Sequence, residues 1–302
     1  MKERLRTETQ SVTPLLPEHV SAGRSHARIA WERFRRHRLA MVGLLILGVL
    51  TLLAVLAPVI APYGPDEQDL FSITTPPSRA HWLGTDELGR DVLTRVMYGG
   101  RVSLSVGLAA ALISSLIGVV VGAVAGFYGR WIDAALMRFI DLMLAFPALF
   151  FLLVLFTIVS ASVWNVILFL GLFGWMWLAR VIRGEILALK ELDFIDAARA
   201  MGASNARIII QHLLPNVTAA IIVSTTLSMA YNMIAEATLD FLGFGVPPNV
   251  PTWGNMLTGA SNYYLQVPLL PVAPGAVLVL AILAVNFIGD GLRDALDPFT
   301  EW

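Results

Sequence analysis

Glu191-Leu192-Asp193-Phe194-Ile195-Asp196-Ala197-Ala198-Arg199-Ala200-Met201-Gly202-Ala203-Ser204-Asn205-Ala206-Arg207 is a polar, helix-coded segment set between two apolar runs, Val163–Ile182 and Val217–Thr238. Asp193 stands where a helix N-cap is needed, with Asp196 three residues on in the place of a capping-box acid. Phe194, Ala197, Ala198 and Met201 recur at i, i+3, i+4 and i+7, which gives one small-to-apolar face. Gly202 suits the left-handed residue that follows a helix C-terminus. Ser204 or Asn205 can cap a second short helix, Ala206–His212, which Pro215 is expected to end. The spacing predicts a helical hairpin rising out of an apolar protein. Such a hairpin is either a solvated connector or a helix laid into a groove on another protein. Slim alanines beside Phe194 and Met201 favour docking, because small residues permit close approach.

The flanking composition sets the environment. Of 302 residues, 57% are hydrophobic and 14% charged, against roughly 45–50% and about 25% in soluble globular chains. Crossing the hydrocarbon core takes about 20 apolar residues. Six segments qualify: Leu39–Ala61, Val102–Phe127, Leu142–Val159 with Pro147 inside it, Val163–Ile182, Val217–Thr238 and Leu269–Gly289. The expected fold is all-α, a polytopic membrane protein with six transmembrane helices, and a water-soluble enzyme is excluded. A net charge of −1 supplies no global basic field to recruit nucleic acid. The absence of cysteine removes disulfides, thiolate metal sites and cysteine nucleophiles. The first span is too long, and begins too far along the chain, for a cleaved signal peptide. The expected organisation is a basic cytoplasmic tail over 1–38, the first span over 39–61 and an extracytoplasmic segment over 62–101. A core over 102–290 follows, with the loop 185–216 inside it, and a cytoplasmic C-terminus closes the chain over 291–302.

Positive charge sets the orientation. The tail 1–38 carries nine Lys and Arg residues, 128–141 carries two, 180–216 carries five, and Arg293 lies near the end. The segments 63–101, 160–162 and 239–268 carry four, none and none. Both termini are therefore expected in the cytoplasm. In the tail, Ala27, Ala30, Trp31 and Phe34 share a helical face and arginines take the rest, the pattern of a helix lying among lipid headgroups. It serves either as a lateral brace around a partner subunit or as a stop-transfer anchor set by charge.

Ser224, Ser228, Asn232 and Glu236 fall at i, i+4, i+8 and i+12, a polar stripe on an otherwise apolar span. The stripe either lines a translocation pathway or hydrogen-bonds to a neighbouring helix. The pathway is favoured, since Glu236 is expected near the outer end, where water reaches it. Gly118, Gly122 and Gly126 form a ridge for close helix packing. The Gly-rich stretch 241–254 has turn chemistry without a ligand set. Within 63–101, six acids face four arginines without the EF-hand pattern, which points to a folded cap. Catalytic motifs are missing. A phosphate cradle ends in Gly-Lys, and neither Lys2 nor Lys190 follows a glycine. His19, His26, His37, His81 and His212 lack zinc-protease spacing, and no serine sits in a nucleophile elbow.

Asp196-Ala197-Ala198, then Gly202, then Leu214-Pro215 resembles the EAA loop of ABC-importer permeases: E-A-A, three residues, G, nine residues, I-x-L-P. Asp replaces Glu, and His212 stands at the Ile position. His212-Leu213-Leu214-Pro215-Asn216 resembles the peptide/nickel branch. Leu83-Gly84-Thr85-Asp86-Glu87-Leu88-Gly89-Arg90-Asp91, Phe241-Leu242-Gly243-Phe244-Gly245-Val246-Pro247-Pro248 with Thr252-Trp253-Gly254, and Gly289-Asp290-Gly291-Leu292-Arg293-Asp294-Ala295-Leu296-Asp297-Pro298 point the same way. From about residue 30 to its end the chain resembles the second, C-type permease of dipeptide/oligopeptide importers. It departs from that pattern at Asp240, where Ser is usual, and at Val267-Pro268-Leu269, where a Trp-rich stretch is common.

The resemblance implies an ABC-importer permease fold in the bacterial inner membrane, half of a pathway for small peptides. It implies a second homologous permease, two ABC ATPase subunits and an extracytoplasmic solute-binding protein. Lipid is the solvent, and nucleic acid is not a partner. No cofactor or metal is expected in this chain, since ATP and magnesium would bind the ATPases, and no residue is catalytic. Coupling would fall to Phe194, Asp196, Ala197, Ala198, Met201, Gly202, Leu214 and Pro215. Nickel or oligosaccharide importers of the same family remain alternatives. An ion-coupled carrier fits less well, for it needs no ATPase dock and no inverted repeat is visible.

Overall fold

In hydrocarbon every backbone polar group needs an internal partner, which leaves an apolar chain the helix. The computed structural model describes residues 26–296. These are helical nearly throughout, with a single isolated β-bridge, Thr85 to Asp91, among them. Residues 1–25, most of the expected basic tail, lie outside the described residues, as do 297–302. Among the described residues, five helices are long and apolar enough to cross a bilayer, or six spans result when one bent pair counts as a span.

Helix α1 (His26–Arg36) leads into α2 (Arg38–Ile60), whose first turn is capped by the His37 ring nitrogen accepting from Ala40 N–H. The face expected on α1 is split. Phe34 is buried with Ala40 and Ala295, whereas Trp31 stays half exposed and stacks on it. Helix α3 (Val92–Tyr128) begins ten residues before the expected second span. Asp91 sets that start by accepting from Thr94 N–H at 2.8 Å. Arg95, inside the added turns, is buried with its guanidinium donating to Pro65 O at 3.1 Å.

The expected third span, Leu142–Val159, takes in only the last turn of α4 (Arg130–Leu144), most of which had been expected as loop, together with α5 (Ala148–Ile158), and the two helices are bent by 78°. Pro147 stands at the N-cap of α5. It has no N–H to continue α4 and disfavours helical geometry at Phe146. The fourth span is α6 (Val163–Gly174) and α7 (Met176–Leu189), which meet at Trp175. After α8 (Asp193–Ala200) and the single turn α9 (Asn205–Arg207), a π turn (Ile208–Leu213) and a 3-10 turn (Leu214–Val217) run into α10 (Thr218–Phe241). Pro215 therefore does not end a helix, contrary to expectation. It sits in the first turn of the 3-10 segment, where its missing N–H costs no bond. Helix α11 (Trp253–Ala260) carries a Thr252/Asn255 capping box, and α12 (Leu269–Leu296) runs past the expected end of the last span.

Helix α3 is the hub, packed against α7, α10, α6 and α2. Its glycine ridge lies on α7. A Cβ at Gly118, Gly122 or Gly126 would come within 2.9, 2.6 or 2.9 Å of a backbone oxygen of Trp175, Ala179 or Arg183. At the N-terminal end of α3 the segment before it folds back as a cap. Asp86 accepts from the N–H groups of Leu88 and Arg90 at 2.9 Å and pairs with the Arg90 guanidinium at 2.7 Å. His81 meets Asp91 at 3.0 Å. Hydrogen bonds from Ser72 and Phe71 hold the Asp69 carboxyl below its ordinary range.

Candidate translocation cavity and coupling hairpin

The hairpin is present, with changes at its start. Leu192, not Asp193, is the N-cap, and no capping box closes. Asp193 and Asp196 both lie in the first turn, where the helix dipole favours acids, and Asp196 pairs with Arg199 at 3.0 Å. The C-terminus is a Schellman motif: Gly202 has φ +81°, its N–H reaches Arg199 O at 2.9 Å, and Ala203 N–H reaches Ala198 O at 3.0 Å. Ser204 caps the next turn through Arg207 N–H at 3.3 Å.

The single face expected from Phe194, Ala197, Ala198 and Met201 is divided. Ala198 is buried with Ile195 against Ile182, Ile186, Ile208 and Leu213. Phe194, Ala197 and Met201 are exposed, Met201 at 81%. Leu214 is half-buried and Pro215 exposed. Ile195 is the anchor missed in the sequence, although its i, i+3 relation to Ala198 carried the signal.

From the π turn onward the chain continues into α10, one wall of a cavity of about 660 Å³. Both breaks face this cavity: Phe146 and Pro147 from the α4–α5 bend, Gly174 and Met176 from the α6–α7 junction. The arm α4 is fastened to α7 by two ion pairs. Arg180 donates to Asp141 at 2.5 Å, and Arg183 grips Asp133 with both Nε and Nη2.

Ser224, Ser228 and Asn232 line the cavity, but Glu236 does not. The premise that water reaches Glu236 is corrected: its exposure is 0%. Ser103 Oγ donates to it at 3.1 Å and accepts from Trp253 N–H at 3.2 Å. One turn on, Asp240 accepts from Val246 N–H at 2.6 Å and from the Thr252 hydroxyl. Trp253, itself buried, donates its indole N–H to Val96 O at 2.9 Å. The chain from Phe241 to Thr252 is thus folded over the end of α10 by Asp240, the residue that had read as a departure.

Among the described residues, five or six candidate spans, three of which enclose a cavity at two helix breaks, define an integral membrane protein built for transport. Residues 118–302 match the family of binding-protein-dependent transport system inner membrane components, and residues 25–77 match the N-terminal transmembrane domain of oligopeptide transport permease C. The chain belongs to that family, as a permease subunit of an ABC transport system in the inner membrane. A putative peptide permease of Brucella suis biovar 1 is 43% identical over 272 residues, 89% of this chain and 90% of the relative. The dipeptide transport system permease DppC of Alkalihalophilus pseudofirmus is 38% identical, covering 93% of each. The glutathione transport system permease GsiD of Escherichia coli O6:K15:H31 is 39% identical over 89% of each. Among solved structures, the inward-facing MetNI methionine ABC transporter matches in fold with a TM-score of 0.54 at 20% identity, over 67% of this chain and 96% of that one.

Proposed function

We propose that this subunit forms half of the pathway of an ATP-driven importer of short peptides. A second, homologous permease would supply the other half, and two separate ATPase subunits would bind ATP and magnesium. The observation that carries the reading is mechanical. The exposed Phe194–Ala197–Met201 face is held rigid by Ile195 and Ala198, and an unbroken helical run, Asn205–Phe241, leads from it to the cavity wall. A push on that face moves Ser224, Ser228 and Asn232. In this reading Phe194, Ala197 and Met201 enter the ATPase groove, while Ala198, Gly202 and the Leu214-Pro215 turn position them. The positive-inside count places the hairpin and both termini in the cytoplasm. The cap over 62–91 then faces an extracytoplasmic solute-binding protein. The names of the relatives favour peptide cargo over nickel or oligosaccharide.

The test is uptake by proteoliposomes holding both permeases and both ATPases. The co-encoded binding protein and labelled di- and tripeptides are outside, and ATP is on the ATPase side. Peptide uptake that stops without ATP is the expected result. Uptake of nickel or oligosaccharide alone would overturn the cargo, and uptake driven by an ion gradient without ATP would overturn the class.

A further inference from the structure

Asn232 lies in the cavity wall at 2% exposure, and its side-chain nitrogen Nδ2 has no hydrogen-bond partner among the described residues. A buried amide donor without a partner is costly, so native proteins seldom keep one without a use. Its surroundings do not offer one. Ser228, one turn away, donates to Ser224 O at 2.8 Å, and its oxygen does not take the Asn232 donor. Most of the rest of the wall is apolar, with Phe146, Phe151, Phe173, Met176 and Trp177 among its large side chains; Ser224 and Tyr231 add hydroxyls, and no charged residue lines it. The volume, about 660 Å³, falls within the roughly 300–1,000 Å³ of small-ligand sites, where apolar walls with few polar groups are the rule.

We propose that this cavity is a selective site for cargo in transit. It takes short peptides with apolar side chains, and Asn232 Nδ2 donates to a backbone carbonyl oxygen of the peptide. The proposal rests on reading the cavity as part of the pathway. The chemistry follows from the lining. Methionine and aromatic walls adapt to apolar side chains of different shape. A free peptide already brings two charged termini of opposite sign, and a charged side chain would add a third ionic group for which the lining holds no counter-charge. An amide donor recognises what all peptides share, the carbonyl. Gly174, at the α6–α7 junction, lies beside Asn232, where a Cβ would be 3.8 Å from its Oδ1. Nδ2 is covered in this conformation, so cargo reaches the donor only if the amide turns or the junction beside it shifts.

The test uses the assembled importer in proteoliposomes with its binding protein. Cargo is Ala-Phe-Ala and the analogue in which one backbone amide is replaced by an ester, a weaker carbonyl acceptor. Wild type should prefer the amide. Asn232→Leu, close in shape but without the donor, should carry the peptide about fivefold more slowly, the worth of one neutral hydrogen bond. It should also treat amide and ester alike, with complex yield and thermal stability at or above wild type. An unchanged amide preference in Asn232→Leu overturns the proposal. So does loss of co-purification with the partner permease, which would assign the amide to the subunit interface. A second arm isolates the underlying reading. The chain has no cysteine, so Ser228→Cys can be labelled with a bulky thiol reagent and its transport compared before and after. Block of all cargo supports the pathway. Block combined with unchanged preference in Asn232→Leu removes the proposal alone, and no block removes both.

Discussion

Gly202 has φ +81°, and nothing lies within 4 Å of where its Cβ would be. A substitution there is tested by backbone conformation, not by collision. Valine resists the left-handed region, at a cost of about 2 kcal/mol, and Asn tolerates it. Gly202→Val should therefore swing Phe194 and Met201 out of place while the spans insert normally. Membrane level and pairing with the other permease should hold, with the ATPases lost on purification and transport abolished. Gly202→Asn should retain both. Normal transport by the valine variant would make the hairpin a connector. Glu236 calls for the opposite expectation. Glu236→Gln keeps an acceptor for Ser103 and removes one of two neighbouring buried carboxyls, so the complex should melt no lower and transport within about twofold of wild type. A large loss of transport from an intact complex would return Glu236 to the pathway. The sequence stripe placed Glu236 with Ser224 because steps of four look aligned. Each step turns about 40° off the axis, so three steps carry Glu236 roughly 120° away. Asn232 is close enough in angle to keep facing the cavity, and Glu236 is not.

At the scale of elements, run length made the spans legible, whereas their ends and breaks depended on contacts across the chain. Residues 92–101 read as loop because they hold Arg95 and Arg101, yet Arg95 is buried in the first turns of α3 by Pro65 O and Asp66, partners some thirty residues away. Pro147 was visible in the third span, but whether it kinks or breaks a helix depends on what packs beside it. Here α7 holds α4 through Arg180 and Arg183, while Leu152 and Phe156 pack α5 against α3 and α6. The π turn at Ile208–Leu213 left no trace in composition. The glycine ridge was legible because its requirement is local: three glycines at spacing four cannot serve another face. That contact predicts a contrast between two glycines. A Cβ at Gly122 would lie 2.6 Å from Ala179 O, while one at Gly184, on α7, would meet nothing within 4 Å. Gly122→Ala should destabilise the complex by about 2 kcal/mol through overpacking, read as a lower melting point in detergent. Gly184→Ala should leave it equal or higher, since alanine is the better helix former. Equal melting of the two would mean that α3 and α7 do not touch along this ridge.

The whole molecule is organised along α3. Its 37 residues extend about 55 Å at 1.5 Å per residue, well beyond the roughly 30 Å hydrocarbon core. Both of its ends must stand in water, and they carry different structures. The cap is bound to the N-terminal end through Asp86, Asp91 and Arg95, and the chain around Val246 and Trp253 packs on the same end. The hairpin packs at the C-terminal end, where Ala123 joins Ile182, Ile186 and Ile195. Because α3 spans the membrane once, Asn249 and Arg207 should lie on opposite sides, whichever side each takes. Charge then chooses the side: Arg207 belongs to a loop with five Lys and Arg residues, and Asn249 to a segment with none. Both positions are exposed, and the native chain offers no cysteine to confuse the readout. In intact cells a cysteine at 249 should react with a membrane-impermeant thiol reagent, and one at 207 should react only after lysis. Labelling of both in intact cells would break the single crossing of α3 and the six-span arrangement with it. Labelling of 207 alone would keep the architecture and invert it, placing the hairpin where no ATP is available and removing the coupling proposal at its base.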